Sequence, residues 1–250
     1  MIEWKEVRIF KGCVQLQNLY FKMICYNCGI ALTGNNKTSE HIPAKNLYAG
    51  QPDEYKQNLL TVPACFDCNN KFSNIDNEIR DMIGISNDSL KENQIISEKA
   101  VRGMFKQKAF DKLNFNQHGQ VESVTFKLKN ALEIHTKNFK GVFFKEYGEL
   151  VPDGYTIHVI ADGCENNQMT LGFIFHDLLR QTNPDWKYSG HPNIFKYLIA
   201  GFSFDENNII FKDGGNKRPM VFAALLVYYD LVGAVVFCGS PALMEASRKK

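Results

Sequence analysis

Four of the seven cysteines in these 250 residues fall into two Cys-x-x-Cys pairs, Cys25/Cys28 and Cys65/Cys68. Such a turn aims two sulfurs at one ion without strain, and two turns together complete the tetrahedral thiolate set that zinc prefers. Four thiolates leave no open coordination position, so the zinc is expected to be structural and any chemistry must come from residues it holds in place. Residues 29–64 separate the pairs, more than the roughly 15–20 residues of a zinc ribbon. The intervening segment therefore has its own structure and task. It contains Ser39-Glu40-His41-Ile42-Pro43, and the second pair runs directly into Asn69-Asn70.

In order along the chain, Cys25-Tyr-Asn-Cys28, Glu40-His41-Ile42-Pro43, Asn58-Leu59 and Cys65-Phe-Asp-Cys68-Asn69 occur over residues 22–82. This order resembles the HNH nucleases, also called His-Me finger or ββα-metal nucleases, in their zinc-knuckle four-cysteine subset. The resemblance implies a metal-dependent endonuclease that hydrolyses DNA phosphodiester bonds. His41 is then the general base, a task suited to the side chain that titrates near neutral pH. Glu40 and Asn69 are implied as oxygen donors to one Mg2+ or Mn2+ ion, which stabilises the scissile phosphate and the departing 3′ oxygen. Asn58 matches the asparagine that holds the loop carrying the histidine. Many family members carry Asp where this chain has Glu40, and Phe72 stands where a lysine is common, with Lys71 beside it. A single-metal phosphodiester site does not read the sugar, so RNA stays open as a substrate. The competing expectation is a catalytically inactive, zinc-stabilised module that binds nucleic acid or protein.

The elements expected to position these residues are those of a ββα unit. Residues 37–44 hold the first strand and the start of its loop, and 59–63 the second strand. Residues 70–83 form a helix, with Phe72, Ile75, Ile79 and Met82/Ile83 at three- and four-residue intervals. Asp76 and Glu78 on that helix read as solvated or helix-start charges. Residues 46–57 are polar and turn-rich, a surface loop near the DNA. Further on, 121–128, 155–161, 194–204, 208–211 and 220–237 read as strands, and 132–147 and 170–181 as helices. The expected class is α+β: a ββα-metal HNH module over 1–85, a basic helical connector over 86–120, and a mixed α+β C-terminal domain over 121–250 of unassigned role.

Net charge is only +2, but it is unevenly spread. Residues 91–145 carry eleven Lys/Arg against five Asp/Glu, whereas 146–250 carry nine against twelve. Lys45, Lys71, Lys99, Arg102 and Lys106 are the expected nucleic-acid contacts, with aromatics on the same stretch facing the core. His135, His158, His176 and His191 show no ligand spacing and read as packing or surface residues. The apolar run 220–238 is interrupted by Asp230 and Gly233, and falls short of the roughly 20 apolar residues of a membrane span. No export leader is expected. Cys13, Cys164 and Cys238 lack framework spacing, so free thiols in a reducing cytoplasm are expected. The remaining expectations are a homodimer or partner protein docked through the C-terminal domain, and a setting in bacterial restriction or anti-phage defence.

Overall fold

The computed structural model describes residues 24–86, 91–107, 112–119, 121–125, 127–161, 185–204, 209–211, 221–230 and 232–240. Helices and strands are mixed along the chain. Strands β1 (Lys37–His41) and β2 (Thr61–Cys65) form an antiparallel pair, with Lys37 opposite Cys65 and His41 opposite Thr61. Two single turns of 3₁₀ helix, Lys45–Tyr48 and Asp53–Lys56, fill the connection. Cys65 ends β2 and caps helix α1 (Phe66–Lys71), its Sγ accepting the Cys68 N–H at 3.4 Å. A sulfur thus stands where a side-chain oxygen usually caps. The single helix expected over 70–83 is two: α1 stops at Phe72, which is buried, and α2 (Ser73–Ser86) continues.

Helix α3 (Lys91–Gln107) packs on α2. A small hairpin follows, β3 (Leu113–Phe115) with β4 (Val121–Val124). The strand expected to run to 128 ends at Val124, because the N–H groups of Asn130 and Ala131 already bond to the Lys127 carbonyl and start helix α4 (Leu128–Tyr147). Gly148 closes α4 in the left-handed conformation, the usual glycine stop. The remaining strands are β5 (Thr156–Ala161), β6 (Lys187–Tyr188), β7 (Phe195–Phe204), β8 (Ile209–Phe211), β9 (Val221–Tyr228) and β10 (Val232–Gly239). They form one antiparallel sheet in the order β5-β10-β9-β7-β6, with β8 also pairing on β7. The described part of the apolar run, 221–230 and 232–238, is therefore the hairpin β9–β10, with Tyr229 and Asp230 at positive φ after β9. No helix among the described residues is long and apolar enough to cross a membrane. The helix expected over 170–181, His176, Cys13 and Cys164 lie outside the described residues.

Alternation along β9 sends Phe222, Ala224, Leu226 and Tyr228 to one face of the sheet and Val221 and Ala223 to the other, as a two-residue period requires. The first face is covered by α4, which contacts β5, β9 and β10 and also touches β2 and α2. One buried cluster consequently runs from Cys25 and Ile42 through Phe139 and Phe143 to Val236 and Cys238. The boundaries expected at 85 and 120 do not divide this core. Polar bonds join the same two regions: Tyr48 Oη donates to the Ser189 carbonyl at 2.5 Å, Ser189 Oγ accepts the Leu60 N–H at 2.9 Å, and Tyr229 Oη donates to the Leu47 carbonyl at 2.5 Å.

His135 of α4 lies wholly inside this core beside Tyr228, and neither ring nitrogen has a hydrogen-bond partner. Burial depresses its pKa from 6.5 to about 4. A depressed histidine gives stability that is complete above the unfolded value and is lost as pH falls toward the folded one. The expected loss by pH 4 is about 3 kcal/mol from this group. His135→Phe should shrink the pH 7 to pH 4 difference in urea midpoint and leave the variant no less stable at pH 7, since an unpaired buried polar ring is replaced by an apolar one. An unchanged pH difference would show that other groups govern acid stability.

Candidate active site and metal centre

The two cysteine turns meet at the open end of the β1–β2 pair. The turn at 25–28 is closed by the Gly29 N–H donating to the Cys25 carbonyl, and it is pinned to β2 by the Tyr26 N–H donating to the Pro63 carbonyl, both at 2.9 Å. The four sulfurs lie within 4.8 Å of one another, and Cys28 Sγ is 3.8 Å from Cys65 Sγ. A zinc tetrahedron with bonds of about 2.3 Å has sulfur–sulfur edges of about 3.8 Å. All four are free thiols, since a disulfide needs sulfurs far closer. Burial raises the Cys25 thiol, yet N–H groups of Cys28, Cys65 and Asn27 aimed at its sulfur bring it below the ordinary value. Asn27 Nδ2 donates to Cys68 Sγ at 3.3 Å, the kind of outer contact that steadies a metal thiolate. The cluster could hold a zinc ion. Among the described residues it is the one group of three or more His, Cys, Asp or Glu close enough to share a metal.

His41 closes β1 and is half-buried. Burial first, then the charges of Lys45 and Lys137, hold its pKa below the ordinary histidine value, so the imidazole is neutral near pH 7 and able to accept a proton. Directly after it, Ile42 is fixed from two sides. Its N–H donates to the Leu60 carbonyl at 2.9 Å, and its side chain lies against the backbone of Gly141 in α4. A Cβ at position 141 would stand 2.4 Å from Ile42 Cγ1, which accounts for a glycine in mid-helix despite its cost there.

Glu40, one residue earlier on the strand, points the opposite way and is buried. Its Oε1 lies 3.1 Å from Lys137 Nζ, and the same ammonium reaches Asp76 Oδ2 at 2.8 Å and Oδ1 at 3.0 Å. Lys137 itself has no solvent exposure along its side chain. Burial pushes both carboxyls above the usual carboxylate range while the ammonium pulls them back. Asp76 and Glu78 are therefore not solvated charges: Asp76 holds Lys137, and Glu78 holds Lys112 at 3.2 Å and Asn130 at 2.5 Å.

Asn69 on α1 donates through Nδ2 to Thr38 Oγ1 of β1 at 3.0 Å, tying the helix to the strand that ends in His41. This leaves its amide oxygen for another partner. Glu40 Oε2 is buried with no hydrogen-bond partner. A carboxylate and an amide oxygen are the donors that Mg2+ or Mn2+ takes. By donor chemistry the pair fits such an ion, with Lys137 already holding the other oxygen of Glu40. Asn58 is exposed, adopts positive φ (56°), and its carbonyl accepts the Gly190 N–H at 3.4 Å. Its backbone shapes the turn before Leu59 and β2.

Among the expected nucleic-acid contacts, Lys45 and Lys71 are exposed, Lys45 close enough for its charge to act on His41 and Lys71 stacking over Phe72. On α3, Arg102 pairs with Glu98, Lys99 lays its stem against Gly50, and the side chain of Lys106 lies outside the described residues. Lys137 and Asn27 are parts of the site that the sequence does not single out, and Asp76 reads there as a solvated or helix-start charge. The one available signal for Lys137 was its place on the apolar stripe of α4 with Ile134 and Gly141. Comparison with family models, with curated proteins and with solved structures returns no match.

Proposed function

We propose that this chain is an HNH-type, metal-dependent endonuclease acting on DNA, with His41 as the general base. The observation that carries the reading is the tie between β1 and α1. A strand ending in histidine, an antiparallel partner strand and a helix bearing Asn69 are joined through Thr38 and stapled by four cysteines. A neutral imidazole at the strand end takes a proton from water attacking phosphorus. Glu40 Oε2 and Asn69 Oδ1 are the atoms to hold the divalent ion, which when bound supplies positive charge beside the scissile phosphate and the departing 3′ oxygen. Ile42, clamped by Leu60 and Gly141, fixes the direction in which His41 leaves the strand. Restriction or defence against phage is the setting this activity would suit.

His41→Ala is expected to reduce plasmid cleavage in Mg2+ or Mn2+ by about 10²–10⁴-fold, the range of a lost general base, with zinc content and thermal midpoint unchanged. Matched DNA and RNA substrates identify the sugar. Undiminished cutting by the variant would remove His41 from the mechanism. Absence of cutting by the wild-type chain on every nucleic acid, with zinc bound, would favour the inactive binding module.

A further inference from the structure

A cleft of about 650 Å³ opens between the N-terminal half of α4 and the end of α1, beside the cysteine cluster. Four lysines line it, Lys71 from α1 and Lys129, Lys137 and Lys140 from α4, against a single acid, Glu133. Lys137 forms the closed inner end, its charge already committed to Glu40 and Asp76. The remaining three face neutral groups or a distant acid. Lys71 lies over the Phe72 ring, and Lys140 donates to Asn27 Oδ1 at 3.2 Å. Lys129 stands 3.9 Å from Glu133 with 83% of its side chain exposed. Such loose pairs at the surface hold little energy, so these ammonium groups can turn to an incoming anion.

The spacing favours a polyanion over a single small one. Residues 129, 133, 136/137 and 140 recur at three- and four-residue intervals and share one face of α4. From 129 to 140 the helix advances about 16 Å, the rise of four or five nucleotides of one strand at about 3.4 Å each. Lys137, at the closed inner end of the cleft, touches Glu40 on the face of β1 opposite His41. We infer that this cleft is the track for the phosphodiester backbone of a nucleic-acid strand, and that it leads the strand to the Glu40 face of β1. The track rests on the nuclease reading for its purpose, but it is a binding claim with its own test. It also differs from the α3 surface expected from charge along the sequence, which lies on another helix.

The test uses the full chain with His41→Ala, so that substrate survives, and follows fluorescence anisotropy of labelled single-stranded and duplex DNA and RNA across a salt series. One variant carries K71Q, K129Q and K140Q; a second carries K91Q, K99Q and R102Q on α3; zinc content is checked in both. The expected result is at least tenfold weaker binding by the cleft variant at about 0.1 M salt. The slope of log K against log salt should flatten by about two to three, given about 0.7–0.9 per phosphate contact. The α3 variant should lose less. Equal or greater loss from the α3 variant, or wild-type affinity in the cleft variant, would overturn the track while leaving a nuclease possible. If the parent chain binds none of the four probes, the track is overturned, and cleavage by the unmutated chain then decides separately whether the nuclease reading survives.

Discussion

Lys137→Met is expected to destabilise the protein by about 3–5 kcal/mol, the usual result of removing one partner from a buried ion cluster. Methionine keeps most of the stem and removes the charge, leaving Glu40 and Asp76 buried with no cation between them. Each carboxyl then lies further above its unfolded pKa than in the wild type. A group whose folded pKa is raised favours the fold below its unfolded pKa, and that help is lost as pH rises through the folded value. The gap between wild type and variant should therefore be widest near pH 8 and narrow toward pH 5. Glu40→Gln with Lys137→Met should cost less than the two single changes added together, because the second substitution removes a charge the first left stranded. Urea unfolding of the four proteins at both pH values supplies the check. A loss below about 1 kcal/mol, typical of an exposed pair, would mean that Lys137 is not the internal cation its burial implies.

Removing zinc should have the larger effect. Metal binding by structural cysteine sites carries apparent free energies of about 10–16 kcal/mol in zinc-finger peptides, comparable to the entire stability of an ordinary domain. The sulfurs do more than bind, since Cys65 caps α1 and Cys68 receives Asn27. The expected result is one zinc per chain released by a thiol-reactive reagent. Chelation should also lower the thermal midpoint by roughly 10 °C or more, since each kcal/mol is worth about 2–4 °C at this size. Cys65→Ser should reproduce both effects. A chain that releases less than half an equivalent of zinc, or keeps its midpoint after chelation, would refute a structural zinc at this cluster.

Local pattern made much of the fold legible. Cysteine spacing marks the metal cluster, the three- and four-residue rhythm marks α2, and β-branched and aromatic content between turn residues marks β7 and the β9–β10 hairpin. The helix boundary at Phe72 is a place where a contact distant in sequence decides. The break at Phe72 depends on that ring being buried beneath Lys137, whose ammonium lies 5.3 Å from its centre. Asp76 looked solvated because its partner lies 61 residues away, and Lys137 looked like one more surface cation of a basic stretch. The basic excess counted over residues 91–145 covers both α3 and α4, and only in space do Lys129 and Lys140 meet Lys71 in one cleft. Glu40 and His41 could be read as a pair from their adjacency, but the pleat turns them to opposite faces, and that separation of duties appears only once Lys137 is in view.

The shared core under α4 also sets how the molecule should come apart. Because Ile42, Phe143 and Val236 belong to one buried cluster, the amides of β1 and those of β10 should exchange with solvent deuterium through the same rare opening and give similar protection, as members of one cooperative unit do. A deletion that removes residues 121–250 would then strip β1 and β2 of their packing partner, so loss of cutting by such a fragment would report unfolding and carry no information about where target choice resides.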